Sequence, residues 1–131
     1  MIPHAGRMCL LDEVIDWNAE TIRCRSASHR DRDNPLRAGG ELPALCGIEY
    51  AAQAMAVHGR LSAAVRERPR AGYLAAVSDV VCRLRRLDDV PGDLLVEAQR
   101  LAGDEARVLY GFSLLAGGKE ALSGKATVVL A

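Results

Sequence analysis

A basic excess is missing from this 131-residue chain, in which 17 Lys and Arg balance 17 Asp and Glu. Dedicated nucleic-acid binders carry clear positive charge, so that class is disfavoured. Aromatic residues are scarce: one Phe, one Trp and three Tyr. The core must therefore be built mainly from Leu, Val, Ile and Ala. No apolar run reaches the length that a membrane span needs, and Met1 to Arg7 lacks the apolar stretch of a secretory signal. The four cysteines, Cys9, Cys24, Cys46 and Cys82, form no CxxC pair and show no metal-ligand spacing. Reduced thiols in a cytoplasmic protein are the expectation. HExxH, GxSxG and phosphate-binding glycine motifs are absent. So are linkers, repeats and low-complexity tracts.

What is present fits one domain over residues 1–131, long enough to bury roughly two-thirds of its unfolded surface without a metal or disulfide. Met8 to Trp17 and Thr21 to Ser28 read as strands. In the second, Ile22, Cys24, Ser26 and Ser28 fall on one side and Arg23 and Arg25 on the other. His29 to Glu41 is polar and carries the turn signals Asn34-Pro35 and Gly39-Gly40. From Pro43 the pattern becomes helical. Ile48, Ala51, Ala52, Met55 and Gly59 share one side, and the opposite side, with Ala54, Val57 and Leu61, is also apolar. Such a helix is a buried one. Pro43 suits its first turn, and Pro69 ends it near Arg68. Leu74 to Leu87, Leu94 to Leu101, Ala106 to Leu115 and Glu120 to Leu130 read as further strands, with hairpin turns at Gly103-Asp104 and Gly117-Gly118. Two strands, one long helix and four strands predict an α+β domain with an antiparallel sheet curled around the helix. One sheet cannot cover both sides of that helix, so dimerisation that extends the sheet is expected.

Glu49 is the first chemical candidate. A carboxylate among Leu45, Ile48, Ala51 and Ala52 is either buried, with a raised pKa suited to proton transfer, or a wet-face Glu favoured by the helix dipole. Gln53 lies one turn on and can orient that carboxylate or a substrate, or simply face water. His29 closes the second strand and opens the polar loop, where functional groups concentrate. His58 is half a turn away from Glu49 around the helix and reads as structural, as does His4. Cys46, near the helix start, reads as a small core residue.

Three segments together resemble the 3-hydroxyacyl-acyl-carrier-protein dehydratases: IPHAGRMCLLDEV from Ile2 to Val14, PALCGIEYAAQ from Pro43 to Gln53, and VPGDL from Val90 to Leu94. NPLR at Asn34 to Arg37 with GIEYAAQAMAVHG at Gly47 to Gly59 is similar to the dehydratase-like subfamily of aryl polyene and related pigment pathways. The resemblance implies a hotdog fold and a dimer, homotypic or formed with another hotdog subunit. It implies no metal and no redox cofactor. The implied substrate is a 3-hydroxyacyl chain on the phosphopantetheine arm of an acyl carrier protein, dehydrated to the trans-2-enoyl thioester in fatty-acid-like or polyene synthesis. A His would act as base at C2, the helix carboxylate would help the C3 hydroxyl leave, and an amide around Ala44 to Gly47 would polarise the thioester carbonyl.

Glu49 matches the acidic position of that pattern. The position of the catalytic His falls on Pro35 instead. His29, six residues earlier, is the expected replacement, and Asn34 is a second candidate, as a substrate-orienting group. Two other functions stay open: a hotdog acyl thioesterase, which needs only a carboxylate to activate water, and a non-catalytic acyl-binding subunit of a hotdog heterodimer. Seven arginines against Glu67 and Asp79 lie between Arg60 and Leu87. This is either a solvated face or a patch that docks the acidic carrier through Arg83, Arg85 and Arg86.

Overall fold

Period-two burial in the strands sets the architecture of the computed structural model, which describes residues 9–66 and 72–130. Strand β2 (Thr21–Ser26) buries Ile22, Cys24 and Ser26 and turns Arg23 outward. Strands β4 (Leu94–Gly103), β5 (Arg107–Ala116) and β6 (Lys119–Leu130) do the same with Leu94, Val96 and Ala98, then Val108, Tyr110, Phe112 and Leu114, then Leu122 and Ala126. With β1 (Glu13–Trp17) and β3 (Gly72–Cys82) they form one antiparallel sheet in the order β1-β2-β4-β5-β6-β3. The long connection after β2 carries helix α1 (Gly47–Arg66), which packs over β2, β4 and β5, and returns the chain to the far edge as β3. This is the helix-in-sheet arrangement expected from the sequence. Gly117 and Gly118, both at positive φ, close the β5–β6 hairpin in the conformation that glycine adopts at least cost. Asp104 closes the β4–β5 turn by accepting the Ala106 and Arg107 N–H groups at 2.7 and 3.0 Å.

Several boundaries differ from the pattern reading. β1 begins at Glu13 rather than Met8, and Ser28 belongs to a 3-10 turn, Ser28–Arg30, rather than to β2. A second 3-10 turn, Ala44–Cys46, capped by Pro43, precedes the helix, and the expected stop near Arg68 lies outside the described residues. The strand expected to run from Leu74 to Leu87 leaves the sheet after Cys82, so Arg83, Arg85 and Arg86 are not on a strand. The helix is not buried all round either. Tyr50, Ala51, Ala54, Met55, Val57 and His58 are buried, while Glu49 and Arg60 face out.

The two sheet edges are unlike. β1 carries Glu13 and Asp16 and is interrupted between Val14 and Asp16 by a shift in register, devices that discourage edge pairing. Among the described residues β3 pairs only with β6, and it is exposed along nearly its whole length, including Tyr73, Leu74, Val80 and Val81. Its only charge is Asp79, at φ 53° within an irregular stretch between Ser78 and Val81.

Candidate functional site

The head of α1 is set by close packing. Gly47 lies against the sheet so tightly that a Cβ there would stand 2.7 Å from Leu122 Cδ2 and 2.9 Å from Leu114 Cδ2. Its N–H bonds back to the Ala44 and Leu45 carbonyls. The Ala44 and Cys46 N–H groups reach the carbonyls of Arg85 and Pro43, each at 3.0 Å. The amides expected to polarise a substrate carbonyl around Ala44 to Gly47 are thus engaged within the chain at these three residues.

Glu49 stands on the exposed side of the first helical turn, near Leu45, which is 57 % exposed. Burial, and then the nearby Glu49 charge, raise the pKa of the Cys46 thiol, which removes thiolate chemistry there. Cys24, deep in β2, is pushed up to about 11 by burial. In the single chain Glu49 is therefore the wet-face carboxylate of the two sequence alternatives.

His29 does not join it. The imidazole is completely buried in the Ser28–Arg30 turn, with Nε2 3.1 Å from the Val90 carbonyl and Nδ1 without a hydrogen-bond partner. A carbonyl only accepts, so Nε2 carries the hydrogen and Nδ1 the lone pair. Burial holds the His29 pKa below its ordinary value. The charges acting on it are those of Arg30 and Asp93. His58 is structural as read from its helical position, with Nδ1 2.7 Å from the Tyr110 hydroxyl and Nε2 2.8 Å from the Asn18 carbonyl. His4 lies outside the described residues.

Asn34 and Gln53, expected to orient substrate, are both tied into the fold. Asn34 donates to the Ser28 carbonyl at 2.9 Å and to the Tyr50 hydroxyl at 3.0 Å, and accepts from the Leu36 N–H at 2.9 Å. Gln53 accepts the Leu10 N–H at 2.9 Å. Leu10 is held from its other end by Ser26 and Ser28, whose hydroxyls reach its carbonyl. Ser28 in turn lies 2.8 Å from the Tyr50 hydroxyl. Reading the sequence for chemistry missed Ser26, Ser28 and Tyr50. The signal was there: serines on the apolar side of a strand need buried partners.

The arginines are also partnered. Arg85 grips Glu41 with two bonds of 3.1 and 3.3 Å. Arg86 bonds Glu41 at 2.7 Å and pairs with Asp88 and Asp89. Asp88 also accepts the Leu42 N–H at 2.8 Å, so this cluster ties the segment before the helix to the segment after β3. The Arg86 guanidinium holds the Asp88 carboxyl well below the usual range. Arg86 therefore acts as a strut between these two segments. Arg83 and Arg85 remain solvent-facing. Among the described residues no cluster of three or more His, Cys, Asp or Glu is placed to hold a metal, and no helix is long and apolar enough to cross a membrane.

A family model for the ApeP dehydratases, the ApeP-like family, matches the chain over residues 1–131. The chain belongs to the ApeP-like dehydratase family. Among solved structures, the ApeI:P dehydratase heterocomplex of Xenorhabdus doucetiae is similar at a TM-score of 0.86 and 24 % identity, over 99 % of this chain and 88 % of that one. A thioesterase from Haemophilus influenzae (TM-score 0.68, 12 % identity, 91 % and 77 % covered) and zebra fish thioesterase superfamily member 2 (0.67, 17 %, 91 % and 80 %) share the fold. No curated protein matches the sequence. As an ApeP-like dehydratase the chain is a hotdog-fold enzyme of the dehydratase class, and its likeness to thioesterases is one of fold.

Proposed function

We propose that this chain dehydrates 3-hydroxyacyl thioesters on the phosphopantetheine arm of an acyl carrier protein, as one subunit of a hotdog pair joined along β3. A base removes a proton from C2, the C3–O bond breaks, and the hydroxyl leaves as water with a proton from Glu49. The trans-2-enoyl thioester stays intact. The observation that carries the reading is a whole-chain match to a dehydratase family, with a solvent-facing carboxylate at the helix position where that chemistry needs one. A partner covering Glu49 would exclude water from the carboxylate and from the reacting carbons.

The base has two sources. His29 has a free lone pair at Nδ1 but must leave complete burial to use it. A second hotdog subunit can bring a His of its own across the β3 edge, and the burial of His29 favours this source. The partner is then a different hotdog chain, as in the ApeI:P heterocomplex.

The test incubates the protein, alone and with candidate hotdog partners, with a 3-hydroxyacyl carrier protein and weighs the intact carrier. Loss of one water that Glu49→Gln slows by about a hundred-fold or more supports the reading. If His29→Ala also does so in the protein alone, His29 is the base. Turnover that appears only with a partner and survives His29→Ala places the base on the partner. Release of the bare arm makes the chain a thioesterase, and turnover untouched by Glu49→Gln makes it an accessory subunit. Charge reversal at Arg83 and Arg85 should slow carrier-bound substrate and spare small thioester mimics. Equal loss on both would end the docking proposal.

A further inference from the structure

Glu49 sits next in sequence to a side chain that does no chemistry of its own but ties the helix to the loop of residues 28–37. The Tyr50 ring is fully buried, and its hydroxyl touches Ser28 and Asn34. Counting hydrogens fixes the directions. Ser28 has one hydrogen and directs it to the Leu10 carbonyl at 2.7 Å. The Tyr50 hydroxyl must then donate to Ser28, and it accepts from the Asn34 amide. Asn34 cannot be turned round, because its oxygen already accepts the Leu36 N–H. The chain of donors therefore runs from Asn34 through Tyr50 and Ser28 to Leu10. It closes on the helix again through the Leu10 N–H, which donates to Gln53, three residues past Tyr50. One helical turn is thus fixed at both ends to the segment before β1 and to the loop of residues 28–37.

We infer that the Tyr50 hydroxyl is a positioning group for the reaction, setting where Glu49 stands relative to the loop of residues 28–37. This rests on the reading of Glu49 as the reacting carboxylate. The physical ground is that a buried hydrogen-bonded ring of this kind has one low-energy arrangement, whereas an exposed carboxylate on an otherwise free turn has several. Displacements of about an ångström in a reacting group cost up to roughly a hundred-fold in rate.

Tyr50→Phe deletes one oxygen and keeps the ring in the core. Ser28→Ala breaks the same chain from the loop side. Both are to be assayed as the complete active assembly, well below its melting temperature, with a 3-hydroxyacyl carrier protein. The expected result is a fall in kcat of about ten-fold or more with little change in KM, in variants that stay folded and assembled. In a Glu49→Gln background, the same Tyr50→Phe change should alter the residual rate by less than about two-fold, because its effect passes through Glu49. Lower melting temperature with unchanged kcat would make the network merely structural and overturn the inference. So would full additivity of Tyr50→Phe with Glu49→Gln. If Glu49→Gln by itself leaves turnover intact, the reading of Glu49 fails instead, and the two failures are told apart by that single variant.

Discussion

Gly47 and Leu122 meet so closely that no side chain fits between them: a Cβ on the glycine would lie 2.7 Å from the leucine Cδ2. Leu122 and its neighbour Leu114 are both fully buried and cannot swing into solvent. The backbone of Gly47 is ordinary helix, φ −58°, so conformational freedom is not the reason for glycine. Gly47→Ala should gain up to about 1 kcal/mol in helix propensity and lose about 1–3 kcal/mol to overpacking, for a net destabilisation. A denaturation midpoint equal to or above that of the parent protein would refute the packing argument.

The β3 edge should be where assembly is won or lost. It exposes Tyr73 (62 %) near one end and Val80 and Val81 near the other, and carries one charge. Val80→Lys places an ammonium where a neighbouring strand would pair. The expected outcome is a folded chain, by circular dichroism, that sediments as a smaller species. Unchanged sedimentation would move the interface elsewhere.

The ion-pair strut predicts an acid sensitivity. Asp88 is depressed in the folded protein, chiefly by its bonds to Arg86. A depressed carboxylate contributes stability that is complete above its unfolded pKa, about 3.9, and is lost as pH falls toward the folded value. Asp88→Asn should lower stability at pH 7 and flatten the decline between about pH 4 and 2. Parallel curves for the two proteins would show that the Arg86–Asp88 pair contributes nothing to acid stability.

The order of elements is legible because burial alternates along β2, β5 and the first half of β4, as the sequence pattern does, while β6 breaks the alternation where Ala121 and Leu122 are both buried. The strand reading of Leu74 to Leu87 overruns Cys82 because Leu84 and Leu87 continue the apolar pattern, but Leu87 is buried against the segment before the helix, its N–H bonding the Leu42 carbonyl. At the site, the helix position of Glu49 allowed a buried or an exposed carboxylate, and the fold makes it exposed. Asn34 and Gln53 were read as substrate groups because a polar residue near a helix head looks the same whether it faces a ligand or a backbone amide. Only the fold shows that Leu10 comes to Gln53, 43 residues away in sequence, and that Tyr50 comes to Asn34. His29 stands six residues before Pro35, where the resemblance puts the catalytic His, but its turn directs Nε2 to Val90, 61 residues on.

That geometry gives His29 a titration that can be read directly. Burial lowers its pKa, so the folded protein holds a neutral imidazole while the unfolded chain protonates near pH 6.5. Stability contributed by His29 is therefore complete above about pH 6.5 and declines as pH falls through the interval down to the lowered value. His29→Gln keeps a donor for the Val90 carbonyl and removes the titration, so its stability should be flatter than the parent protein's between about pH 7 and 5. Proton NMR of the His29 ring gives the matching measurement, with the midpoint expected below the ordinary histidine value. A midpoint at or above that value, with no flattening in the variant, would mean that the Ser28–Arg30 turn opens readily in solution. The lone pair on Nδ1 would then be reachable, and His29 rather than a partner's residue would become the favoured base.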